Sequence, residues 1–368
     1  MRKLATVRTI KELTPIDGAD LIELATVDGW KVVVKKDEFN VGSLCIYFEI
    51  DSFLPDGNPA WQHLVDKHPR VFEGKRGHKL KSVKLRGQLS QGFLIPITYE
   101  IETKWFHTFL NLDNVRSLQE GDDVTEILGI VKYEAPMPAE LAGQIRGNFP
   151  SFIKKTDQER CQNLEHEIFV ENKDAVYEVS IKLDGTSFTG YFNRGIEGVC
   201  GRNWELKIDD SNAFNTLVLM FIESGLRDAL REFGGNYAVQ AELLGPGIQK
   251  NREGLKTHKL FIFDIYDIDN GCYVPPFKRH EILNMLYVHG LNKTMVAHVP
   301  IIHEAIKLSE INYRGGYRSN IDSVDKLLIY AEGPSLHNPV REGLVYKRSD
   351  GAFSFKSISN RFLLKCED

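Results

Sequence analysis

Lys182-Leu183-Asp184-Gly185-Thr186-Ser187 follows directly on the strand-like run VYEVSI, Val176 to Ile181. A lysine ammonium at its ordinary pKa of about 10.4 is a poor nucleophile, so a reactive lysine needs nearby cations or a metal to depress that value, and a turn to present it. Asp184-Gly185 supplies the turn. Taken alone, K-x-D-G is equally the sequence of an ordinary surface hairpin. Four more segments follow in order. QAELLGPGIQKN, Gln240 to Asn251, sets Glu242 on a buried-looking strand, where a carboxylate is costly unless paired or metal-linked, and its Gly245-Pro246-Gly247 lets backbone approach a ligand closely. FIFDIY, Phe261 to Tyr266, is an aromatic stripe, and Phe261 reads most simply as core. EGLVYK, Glu342 to Lys347, and FSFK, Phe353 to Lys356, followed by Ser357-Ile358-Ser359-Asn360, complete the set. Strand alternation puts Val345 and Lys347 on one face, and sets Ser354, Lys356 and Ile358 opposite Phe353, Phe355 and Ser357. Each lysine by itself reads as a solvent-facing charge; five such coincidences in one chain do not.

Strands must carry these groups. VYEVSI, YAVQAELL, KLFIFDIY, GLVYKR and FSFKSI all read as buried strands. Between them, apolar residues at helical spacing predict one helix over 211–233, stopped by Gly234-Gly235, and two more over 279–289 and 321–331. The second half, about 220 residues, is therefore a mixed domain of strands and helices. Residues 1–135 differ: short strands separated by turn signals, with Asp28-Gly29 marking a hairpin, predict a small OB-like β-barrel, an architecture that binds single strands or oligonucleotide backbone. The stretch 136–155, which holds Pro136, Pro138 and Pro150, reads as the linker.

Composition narrows the function classes. A chain of 368 residues, 42% hydrophobic and 26% charged, is long enough for two or three soluble domains. No apolar run reaches about 18 residues and the N-terminus is broken by charge, so neither a membrane span nor a secretory leader is expected, and the location expected is cytoplasmic, or nuclear in a eukaryote. Five scattered cysteines without C-x-x-C argue for reduced thiols and against a cysteine zinc site; the histidines form no H-x-x-x-H or H-E-x-x-H pair. With a net charge of −5, any polyanion must meet a local patch. The run from Lys75 to Arg86, which includes Lys79, Lys81 and Lys84, has six basic residues and no acid, and falls within the expected barrel.

The ordered set KLDGTS, AELLGPGIQKN, FIFDIY, EGLVYK and FSFKSISN resembles the motifs of the covalent nucleotidyltransferases, which include DNA ligases, RNA ligases and mRNA capping enzymes, and within them is most similar to the nick-sealing, double-strand RNA ligases. The resemblance covers about residues 156–365, and it implies that residues 156–368 form a nucleotidyltransferase domain of antiparallel sheets with flanking helices, making the chain α+β. ELLGPGIQKN is its most specific piece, and Arg202 stands 20 residues past Lys182, where that family has an essential arginine. DNA ligases and capping enzymes usually have an arginine where this chain has Ser187, a position at which an asparagine is common among RNA ligases. Ile358 also stands where the family often has a second lysine, leaving Lys356 to act alone or with Lys365.

By this resemblance Lys182 is the adenylated nucleophile; Asp184, Glu242 and Glu342 hold the hydrated metal or the ribose; Phe263 stacks on adenine; and Lys347 and Lys356 grip the α-phosphate. Gly185, Ser187 and Arg202 join the nucleotide site. The implied cofactors are ATP with Mg²⁺ or Mn²⁺, and the implied partner is RNA, in a nicked duplex or as tRNA-like ends, acted on by a monomer. The run TDQERCQN, just before the lysine, adds Arg160, Gln162 and Asn163 as RNA or nucleotide contacts, and Lys250 is a further RNA contact. The family's usual C-terminal RNA-binding domain is not expected, with the barrel in its place. Adenylation needs a neutral amine in line with the α-phosphorus and positive charge on the developing oxyanions; Lys347, Lys356 and the metal are expected to supply both. The other readings are a DNA nick ligase, a GTP-dependent capping enzyme, and an RNA-binding protein with an inactive nucleotidyltransferase half.

Overall fold

The computed structural model describes residues 2–97, 118–137, 141–312 and 320–366. The chain divides into two compact units, Met1–Pro136 with Leu363–Asp368, and Met137–Phe362.

The first unit is built mainly of short antiparallel strands, with one short helix at Gln62–Lys67. Ala5–Thr9 and Phe93–Pro96 flank Leu44–Phe48 in one sheet, and Glu12–Pro15, Ile22–Val27 and Trp30–Lys35 form a meander beside it. Val27 pairs with Trp30 across the expected Asp28-Gly29 hairpin, and both turn residues have positive φ, 44° and 77°, as a type I′ turn requires. A third sheet joins Val131–Lys132, Ser52–Pro55, Lys75–Lys79 and Arg70–Phe72. Large aromatics fill the interior: Trp30 and Trp61 are fully buried, and Trp61 spends its only polar group on the carbonyl of Pro55, to which Nε1 donates at 2.7 Å.

The second unit holds two sheets. One runs in the order Ile145–Asn148, Trp204–Leu206, Ile196–Cys200, Thr186–Asn193, Tyr237–Leu244, Lys259–Asp267 and Cys272–Tyr273, with Val296–His298 added parallel to Lys259–Asp267. The helices Thr216–Glu223, Leu226–Phe233 and Pro276–Val288 bury their apolar stripes on this sheet. The second sheet runs Glu159–Arg160, Ser354–Ile358, Gly343–Arg348, Val176–Lys182 and Ile301–Lys307, backed by the helix Val324–Tyr330. The pairing is antiparallel throughout this sheet except where Glu159–Arg160 meets Ser354–Ile358.

Two expectations change. The helix expected over 211–233 is broken at Gly225, whose φ of 76° no right-handed helix accepts; a Cβ there would lie 2.7 Å from the carbonyl oxygen of Gly290, so the chain must turn at a residue without one. Part of the expected linker is structural: Ile145–Asn148 forms an edge strand on Trp204–Leu206. Residues 138–140 of that stretch lie outside the described residues.

Candidate active site

Lys182 is the last residue of the strand Val176–Lys182 in one sheet, and Thr186 is the first of Thr186–Asn193 in the other. Leu183-Asp184-Gly185 is thus the crossing between two sheets rather than a surface hairpin. Gly185 is required here. A Cβ on it would lie 2.4 Å from the carbonyl oxygen of Leu243, and its N–H donates to Oε1 of Glu242 at 3.0 Å. That approach brings the strand Tyr237–Leu244, and with it Glu242, against the Lys182 turn. Gly343 does the same elsewhere, because a Cβ would stand 2.2 Å from the carbonyl oxygen of Ser357; the close approach lets Glu342 precede its strand at the level of Lys182.

The site's centre is the Lys182 amine, which donates to Oε2 of Glu342 at 2.7 Å. Burial works against the ammonium, but the negative charges of Glu342, Glu242 and Asp184 outweigh it, and the pKa of Lys182 is raised. The lowered value expected with a metal, Lys347 and Lys356 together is not met by the side chains alone, because the groups closest to the amine are acids. Burial and the charge of Glu342 push the Asp184 carboxyl up, against the pull of Arg252, whose Nε lies 2.9 Å from Oδ2 of Asp184. Burial is also the main reason that Glu242 is pushed up to about 7.

Three crowded carboxylates, two of which, Asp184 and Glu242, have raised affinity for protons, suit a divalent cation with hard oxygen preference, such as Mg²⁺ or Mn²⁺. Among the described residues, the only group of three whose ligand atoms all lie within 4.8 Å of one another is Glu178, His280 and His298. A cation shared by Asp184, Glu242 and Glu342, whose ligand atoms do not form such a group, would be met in part through its water shell.

The two lysine positions expected to grip the α-phosphate differ in environment. Lys347 is buried, with Nζ 2.7 Å from Oδ1 of Asp264, a hydrogen bond to the carbonyl of Phe263, and the Phe263 ring centroid 5.5 Å away. Burial lowers its pKa to about 8, with Asp264 opposing and Arg279 assisting. Lys356, opposite Val345 in the ladder, reaches Asp157 at 3.6 Å. Phe261 is core, 3% exposed, while Phe263 is half-buried.

The remaining expected residues are placed unevenly. Ser187 sits opposite Glu242 in the ladder. Arg160 is in register with Lys356, and Asn163 donates to Glu159 at 3.0 Å, so the segment before the lysine lies along the Lys356 strand. Gln162 is buried, 1% exposed, and does not present its side chain to a surface strand. Arg202 is exposed on the turn before Trp204–Leu206 and makes no ion pair with the carboxylates among the described residues. Lys250 is exposed in a run of three left-handed residues, with φ of 42° at Gln249, 58° at Lys250 and 46° at Asn251. The basic run is partly spent internally: Arg76 pairs with Asp56 and Asp66, and Lys79 with Asp51, whereas Lys81, Lys84 and Arg86 are exposed around the hairpin of Ser82–Leu85 and Gln88–Gln91.

Sequence reasoning missed Arg252, Asp264 and the pair Glu178–Arg279. A signal existed for two of them: an acid inside VYEVSI and another inside FIFDIY are charges on apolar strands, and each demands a partner.

These elements, a short-stranded N-terminal unit and a two-sheet unit with a lysine at the crossing, define an α+β protein with an OB-fold module and a nucleotidyltransferase domain. A family model described as an OB-fold domain matches residues 4–97, and one described as RNA ligase matches residues 175–366. The chain is 44% identical to a Naegleria gruberi RNA ligase variant solved with AMP and Mn, over 99% of each chain, with a TM-score of 0.78. A second variant of that enzyme, with ATP and Mn, is 44% identical over 100% of both chains, TM-score 0.78, and the enzyme with PPi is 43% identical over 99% of each, TM-score 0.77. No curated protein matched. The chain belongs to the RNA ligase family. Among the described residues, no helix is long and apolar enough to cross a membrane.

Proposed function

We propose that this protein is an ATP-dependent RNA ligase that joins a 3′-hydroxyl to a 5′-phosphate through a lysyl-AMP on Lys182 and an AMP-capped 5′ end, acting as a monomer in RNA repair. The observation that carries it is the Lys182 amine at the crossing of the two sheets, 2.7 Å from Glu342 and within the field of Glu242 and Asp184. The similar enzymes solved with ATP, AMP, PPi and Mn support ATP as substrate and Mn²⁺ or Mg²⁺ as cofactor.

Asp184, Glu242 and Glu342 would hold the cation. Bound there, it supplies positive charge that offsets the carboxylates and the phosphate oxygens. With their field offset, Lys182 can give up its proton. Its nitrogen then forms the bond to the α-phosphorus of ATP as the bond to the bridging oxygen breaks and pyrophosphate leaves in line. Lys347 and Lys356 steady the α-phosphate oxygens and Phe263 stacks on the adenine. A 5′-phosphate oxygen next takes AMP from Lys182, and the 3′-hydroxyl then attacks that 5′-phosphorus and releases AMP.

In this reading residues 1–135 form the RNA-binding module, 136–155 connect it and also lend the edge strand Ile145–Asn148, and 156–368 do the chemistry. Lys79, Lys81, Lys84 and Arg86 with Lys250, Arg160 and Asn163 meet the RNA backbone, while Arg202 serves the nucleotide. The test is sealing of one nicked duplex whose 3′-hydroxyl strand is either RNA or DNA. Preferential sealing of the RNA strand supports the proposal; equal or better sealing of the DNA strand overturns the RNA assignment.

A further inference from the structure

Behind Lys347 lies a buried charge cluster that the ligation chemistry leaves unused. Arg279, in the first turn of the helix Pro276–Val288, is 0% exposed, and Glu178, Asp264 and Lys347 are 2%, 3% and 5% exposed. Glu178 and Lys347 face each other directly in the ladder of one sheet, while Asp264 and His298 stand on the other. Arg279 ties the two sheets together: Nη2 donates to Oε1 of Glu178, Nε donates to Nε2 of His298 at 3.0 Å, and Nη1 lies 3.7 Å from Oδ1 of Asp264. His280 reaches the other oxygen of Glu178 at 3.3 Å and stacks on His298 at 4.5 Å between centroids.

Glu178, His280 and His298 have the spacing of a metal site. The guanidinium argues against one. It stays protonated, it already occupies Glu178 and His298, and a divalent ion beside it would meet uncompensated positive charge. The cluster instead balances two cations with two carboxylates.

Its consequence falls on Lys347. An ammonium has three N–H donors; Asp264 and the carbonyl of Phe263 take two, so the position of Asp264 fixes where the third points. We propose that Glu178 and Arg279 are positioning residues: Glu178 holds the guanidinium, whose charge at 3.7 Å acts on Oδ1 of Asp264, the same oxygen that holds Lys347, and so fixes that oxygen and aims the Lys347 ammonium at the transferred phosphate. The inference rests on the phosphate role given to Lys347 above.

The test is a charge-balanced double variant, Glu178→Gln with Arg279→Met, which removes the brace without leaving an unpaired buried charge. It is compared with Lys347→Met and with the combination of all three changes. Each protein is first checked for an intact thermal transition, then assayed for single-turnover AMP transfer to Lys182 across ATP concentrations. The brace variant is expected to lose on the order of 10²-fold in the rate at saturating ATP, the scale of a misplaced group, with KM changing much less. In the Lys347→Met background the same changes should cost nothing further, because nothing is left to aim. Wild-type rates in a folded brace variant, or losses that multiply with those of Lys347→Met, would overturn the inference while leaving Lys347 its role. Wild-type rates in Lys347→Met would remove that role, and the inference with it. If the double variant does not fold, Arg279→Lys, a cation too short to span both carboxylates, is read in the same cycle.

Discussion

The Nζ of Lys182 donates to Oε2 of Glu342 at 2.7 Å, across 160 residues of sequence. In the proposed reaction the nucleophile is therefore stored as an ammonium beside the carboxylates proposed to hold its cation. On that proposal reactivity and metal binding are one event, because the charges that hold the amine protonated are those a divalent ion would offset.

It follows that the Lys182 amine is slow toward an amine-selective reagent in metal-free protein, and that Glu342→Gln makes it faster at the same pH by removing the nearest of the charges that raise its pKa. Mass-spectrometric labelling rates at Lys182, at pH 8 and 9, check this. Equal rates in the two proteins would mean that Glu342 does not govern the amine.

Glu242 makes the site costly to keep empty. Its pKa is raised from the ordinary 4.5 to about 7, chiefly by burial. A carboxyl whose folded pKa lies above its unfolded one takes up protons on folding, so its stabilising share is complete below about 4.5 and is lost as pH rises through about 7. Metal-free Glu242→Gln should then be more stable than the parent by about 1–3 kcal/mol at pH 8 and little different at pH 4.5, while losing AMP transfer. Denaturant unfolding at the two pH values measures it; no gain at pH 8 contradicts it.

How much of this was readable in advance depends on the kind of contact. Lys182, Asp184 and Glu342 each sit at or just beyond a strand end beside a glycine or a turn, and such punctuation is local, whereas Glu242 lies inside its strand and was marked by being a charge among apolar residues. Phe261 and Phe263 separate into core and site only through which neighbours their strand meets. Arg279 and Glu178 are 101 residues apart, and a sequence reports that a buried acid needs a partner without reporting which arginine crosses the sheets to reach it. The break at Gly225 likewise depends on the carbonyl of Gly290, a neighbour that helical spacing cannot register.

The exposed hairpin in the first unit predicts a division of labour. Replacing Lys81, Lys84 and Arg86 together by alanine should leave AMP transfer to Lys182 within about twofold and weaken nick sealing, with the salt dependence of RNA binding falling by ~0.7–0.9 log units per lost phosphate contact. Filter binding across a salt series alongside both assays separates the steps. Loss of AMP transfer in this variant would refute the separation.

The most direct test of the account is covalent labelling. The purified protein is incubated with α-labelled ATP and a divalent metal, with Lys182→Ala beside it, and both are denatured before counting. The account predicts label on the parent chain alone, released when nicked RNA is added. Label on Lys182→Ala, or on neither protein, would contradict Lys182 as the nucleophile.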